Sequence, residues 1–75
     1  MNDKLIQQIT TIINTLNSLS IKNNTEDDQQ VGSIINYANA MKQILKEDGH
    51  MDMDKFNSML SEQQERADLL IAKWN

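Results

Sequence analysis

Apolar residues recur three and four apart along three stretches of the chain. Leu5, Ile9, Ile12, Leu16 and Leu19 form the first set. Val31, Ile34, Ala38, Met41 and Leu45 form the second. Met53, Phe56, Leu60, Ala67, Leu70 and Trp74 form the third, with Gln63 standing where the period calls for an apolar residue. This spacing gathers each set on one face of an α-helix. It predicts three amphipathic helices over about residues 3–20, 26–46 and 52–74, within one domain covering 1–75. Two short polar connections make neighbouring helices antiparallel. The expected fold is all-α, a small antiparallel three-helix bundle. A helical hairpin that dimerises is the competing layout.

Local signals set the expected boundaries. Asp3 suits the positive end of the first helix, and Ile6 and Ile13 widen its apolar stripe. Ile21 to Asp28 reads as a loop in which Thr25 caps the second helix, with Glu26, Asp27 and Asp28 in its first turn. Ile35, Tyr37 and Ile44 flank that helix's seam. Gly32 weakens its first turns by about 1 kcal/mol relative to Ala, and offers a place for another helix to approach. Gly49 suits a left-handed helix terminus. Asp52 is the expected cap of the third helix. Its middle, Ser61 to Arg66, is wholly polar, and Ser61 with Gln64 has the form of a capping box. A break at Ser61 is therefore an alternative, but the apolar phase carries through Gln63 and favours one continuous helix. Gln63 is expected at the edge of the seam, reaching water, with a buried, register-setting role as the alternative.

Composition narrows the function classes. The chain has 75 residues, no cysteine and no proline, and a net charge of −4. A core this small rarely supplies more than roughly 3–5 kcal/mol. Disulfides and thiolate metal sites are excluded, so self-association is the common remaining route to further burial. No apolar run approaches the ~18 residues that span a membrane. The N-terminus also lacks the features of a signal peptide. The expected location is cytoplasmic. The scattered lysines and arginines and the negative charge disfavour direct binding to nucleic-acid phosphates. The abundance of Asn, Ile and Lys, whose codons are AT-rich, fits a bacterium, phage or mobile element.

Few residues suggest chemistry. Asp48, His50, Asp52 and Asp54 alternate as carboxylate ligands in a calcium loop do. No register, however, supplies the loop's full pattern of acids, glycine and final glutamate. With one histidine, no cysteine and no nucleophile motif, no catalytic, metal or cofactor site is expected. Gly49-His50-Met51 is also a tripeptide left where two segments are fused; continuous helical logic on both sides argues for a native turn. The acidic clusters Glu26-Asp27-Asp28 and Glu47-Asp48 with Asp52-Asp54 raise the alternative of a nucleic-acid mimic that inhibits a DNA- or RNA-binding enzyme. Helix dipoles account for most of the same acids, since most fall in first turns.

The feature with most bearing on function is the first helix. From Leu5 to Ile21 it carries no charged residue, and its polar face consists of Gln7, Gln8, Thr10, Thr11, Asn14, Thr15, Asn17 and Ser18. An uncharged face is desolvated by a partner more readily than a charged one. Aromatic side chains are frequent interface anchors. Ile6, Gln8, Ile13, Tyr37 and Trp74 are the candidate interaction residues, although Trp74 at seam spacing equally reads as a lid on the core. The expected function is a non-enzymatic protein–protein interaction module, accessory or regulatory, binding a protein partner, itself, or both. The segment Leu60-Ser61-Glu62-Gln63-Gln64-Glu65-Arg66-Ala67-Asp68-Leu69-Leu70 is distantly similar to the small helix–loop–helix aspartyl-phosphate phosphatases that regulate sporulation. Their Ser-Gln-Glu-Leu-Asp motif is not intact here, and the resemblance does not extend to function.

Overall fold

The apolar period is realised as three helices, α1 (Asp3–Asn17), α2 (Thr25–Glu47) and α3 (Met53–Trp74). The computed structural model describes residues 3–47 and 52–74. All three helix pairs pack on one another, forming a three-helix bundle, and the described residues include no strand. The end of α3 meets the start of α2, where Trp74 bonds Asp27, so these two helices run antiparallel. The short connection Ser18–Asn24 returns the chain from α1 to α2. The bundle is a rod of 42 × 18 × 17 Å. Its radius of gyration is 12.8 Å, against about 11 Å for a sphere-like domain of this length.

The core follows the three seams. Ile9, Ile12 and Leu16 come from α1; Ile34, Ala38, Met41 and Leu45 from α2; Phe56, Leu60, Ala67 and Leu70 from α3. Leu5, Ile6, Ile13, Leu19, Val31, Ile35, Met59, Ile71 and Trp74 are partly buried around them. Each fully buried Ile, Leu, Met or Phe contributes about 1.5–3 kcal/mol relative to exposure. Ile9, Ile34 and Ala67, one from each helix, are wholly buried, so all three helices contribute to the centre of the core.

The structure corrects several boundaries and roles. α1 ends at Asn17 rather than near Ser20. Beyond it the amide of Leu19 bonds the carbonyl of Leu16 at 3.2 Å, a tightened final turn. Asn17, Ser18 and Ser20 are poor helix formers, and no glycine caps the end. Thr25 is the first helical residue, not the cap. That role belongs to Asn24, whose Oδ1 accepts from the Asp27 amide at 2.9 Å. Asn23 before it takes a left-handed conformation (φ 55), which asparagine tolerates better than most residues, and this turns the chain into α2. Asp52 caps α3 as expected, its Oδ1 accepting from the amides of Asp54 (3.0 Å) and Lys55 (3.3 Å). α3 is continuous through Ser61.

Three further expectations change. Gln63 does not reach water at the edge; it is 3% exposed, in line with the core residues on either side. Met53, a seam member by spacing, lies in the first turn of α3 and is 40% exposed. Gly32 receives no close neighbour: a methyl group placed there would meet nothing within 4 Å. The expectations resting on Asp48, Gly49, His50 and Met51 lie outside the described residues.

Candidate functional site

Three surface regions gather the polar and apolar residues the core does not absorb. The first is the outer face of α1. Gln7, Gln8, Thr11, Asn14 and Ser18 are exposed there and Thr15 is half-buried. Their hydroxyls are turned inward on the helix itself. Thr11 Oγ1 donates to the carbonyl of Gln7 (2.9 Å), Thr15 Oγ1 to that of Thr11 (2.8 Å), and Ser18 Oγ to that of Asn14 (2.9 Å). Such back-bonding satisfies the hydroxyl proton within the helix. The face is therefore uncharged, and three of its hydroxyl donors are already satisfied. Ile6 and Ile13 pack partly buried against the core, as the widened apolar stripe of α1 implies. Gln8 is exposed at the border of the polar face.

The second region is a polar clasp where α2 begins and α3 ends. One carboxylate oxygen, Asp27 Oδ2, receives Trp74 Nε1 (2.8 Å), Lys73 Nζ (2.8 Å) and Asn24 Nδ2 (3.0 Å). The Lys73 ammonium also lies 5.8 Å from the centre of the Trp74 ring, within the range of a cation–π contact. The Lys73 hydrogen bond and then that of Trp74 hold the Asp27 carboxyl below its ordinary 3.8, against an opposing effect of desolvation. The Asp27 side chain is 14% exposed and the Lys73 side chain 56%. Trp74 is thus a half-buried lid tied to α2, and its indole N–H is already committed. Nothing in the sequence pairs residues 27 and 74; only antiparallel packing brings them together.

The third region is the outer side of the α2–α3 pair. Arg66 donates from Nη2 to Gln30 Oε1 (2.6 Å) and from Nη1 to Gln63 Oε1 (3.1 Å), tying the buried amide to a residue of α2. Further along, Ile44, Asp52, Lys55, Phe56 and Met59 line a small open depression whose wall is apolar. Tyr37 (39% exposed), Ile44 (42%) and Leu69 (74%) each precede a core residue by one position, as Met59 and Arg66 do, and this shared phase puts them on the same side. Helical spacing marks it as the side away from α1. The candidates Tyr37 and Trp74 are therefore on different regions from Gln8. Sequence reasoning overlooked Leu69 and Arg66, because both fall off the apolar seam.

The remaining surface offers little for chemistry. A second open depression, lined by Asn57, Ser58, Ser61, Glu62 and Glu65, lies along the single helix α3 and encloses nothing. Among the described residues no three His, Cys, Asp or Glu side chains converge as metal ligands do. No helix of the described residues is long and apolar enough to cross a membrane. The acids of the α2 first turn and those of the α3 first turn sit at opposite ends of the rod, because the two helices are antiparallel. No protein-family model, curated protein or solved structure matches this chain.

Proposed function

We propose that this chain is a non-enzymatic interaction module of the cytoplasm, an accessory or regulatory protein of a bacterium, phage or mobile element. It docks on a protein partner through the outer face of α1. The observation that carries this reading is the uncharged surface of Gln7, Thr11, Asn14 and Ser18, with hydroxyl donors satisfied inside the helix. A partner covering it must pair the amides of Gln7 and Asn14, but it desolvates no charge and leaves no Thr11 or Ser18 hydroxyl proton unbonded, so the desolvation penalty is lower than on a charged face. Self-association is a second capacity of the same module. The mimic reading calls for a continuous acidic track. Against it, the two acidic clusters occupy opposite ends of the rod, and Asp27 is taken up by Lys73 and Trp74.

Affinity capture from the source cell tests the proposal with the wild type, Thr11→Glu and Gln7→Glu, at low and high salt. Docking predicts one retained partner whose capture survives high salt and is lost when a charge is placed on α1. Capture indifferent to both α1 substitutions but abolished by salt would instead support the mimic, since attraction between exposed charges is screened.

A further inference from the structure

We infer that the α2–α3 face opposite α1 is a self-complementary interface, and that its occupant is a second copy of this chain. The inference rests on reading the chain as an interaction module and adds a surface separate from α1. Lys55, Met59, Glu62, Arg66, Leu69 and Lys73 are spaced alternately four and three along α3, the period of a helix-pairing stripe. The stripe lies beside the core seam, on the side where Arg66 reaches Gln30 of α2.

The stripe is its own complement when reversed. A two-fold axis across α3 at Gln64 sets position 59 against 69 and position 62 against 66 of the second copy. Leu69, the most exposed large apolar side chain among the described residues, then projects at the depression whose apolar wall is Ile44, Phe56 and Met59, with Asp52 and Lys55 at its edge. The knob and the hole are ten residues apart in α3, about 15 Å, so each copy fills the other's hole. Glu62 of each copy meets Arg66 of the other. Arg66 is positioned for this: two of its five N–H donors hold Gln63 and Gln30, and the others remain available. Glu62 is exposed and makes no ion pair among the described residues. Tyr37, midway between Gln30 and Ile44 in α2, falls beside the axis. Lys55 meets Lys73 of the second copy at the rim, where the Lys73 charge is already balanced by Asp27. Every contact occurs twice, as in any two-fold interface.

Sedimentation equilibrium from micromolar to millimolar concentration tests the assignment, with circular dichroism confirming that each variant is folded. The wild type sediments as a dimer. Leu69→Glu, at an exposed position, raises the dimer dissociation constant by at least ~100-fold, because the contact is lost twice. Glu62→Arg alone sediments as a monomer, and so does Arg66→Glu. An equimolar mixture of the two restores a dimer, since each supplies the charge the other needs. Should Arg66→Glu fail to fold, Leu69→Glu and Glu62→Arg still decide the matter. A wild type monomeric through the millimolar range overturns the inference, as does a dimer that survives Leu69→Glu or is broken by Thr11→Glu on α1. Partner capture through α1 is measured separately and stands or falls independently of the dimer.

Discussion

Replacing Gln63 by Leu should stabilise the bundle. The residue occupies a core position of α3 at 3% exposure, and its single inter-residue bond runs to Arg66 at 3.1 Å. Burying a leucine side chain there contributes about 1.5–3 kcal/mol relative to exposure. The lost hydrogen bond to the charged guanidinium is worth about 1.5 kcal/mol, the low end for a charged partner because Arg66 is only half-buried and can turn to water. Arg66 is half-buried, retains Gln30 and reaches water, so no buried donor is orphaned. The balance is a gain of about 1 kcal/mol, which raises Tm by about 4–8 °C in a domain of this size. Gln63→Ala loses the bond and leaves a void, and should cost about 2 kcal/mol. Urea denaturation followed by circular dichroism at low protein concentration measures both, with an unchanged urea slope as the check that the unfolded state is the same. A Gln63→Leu variant less stable than the wild type would refute the reasoning. It would show that the amide–guanidinium link outweighs apolar burial at this site.

Three other outcomes are expected. Gly32→Ala, at a helical position with open space around it, should add about 0.5–1 kcal/mol; a lower urea midpoint than wild type would contradict it. Asp27→Asn should flatten the acid side of the stability profile. The folded-state pKa of Asp27 lies below its ordinary 3.8, so its contribution is present above 3.8 and is lost as pH falls through the lower folded value. Wild type and variant should therefore converge between neutral pH and acid, with the fluorescence of Trp74, the lone tryptophan, reporting loss of the clasp; parallel profiles would rule this out. Ile12→Asp places an unpaired charge at a position 3% exposed. Because that exceeds the roughly 3–5 kcal/mol such a core supplies, the variant should lack wild-type helicity in the far ultraviolet at neutral pH.

The three-and-four spacing of Ile9, Ile12 and Leu16, of Ile34, Ala38, Met41 and Leu45, and of Phe56, Leu60, Ala67 and Leu70 was enough to determine the helices and their buried faces, and packing of all three pairs decided for the bundle over a dimerising hairpin. Helical period is a local property, and apolar burial follows it wherever three such faces can meet. The Asp52 cap was legible for the same reason, since its partners are two and three residues away. Only the tertiary structure decided what depends on distant residues. The fate of Gln63 was set by the neighbours that close over it and by Arg66 bridging to Gln30. Trp74 became a lid tied to Asp27 because antiparallel packing joins positions far apart in the chain. Leu69, like Ile44 and Met59, lies off the apolar seam. Its meaning comes from which side of the α2–α3 pair α1 leaves open, and no periodicity within a single helix encodes that choice.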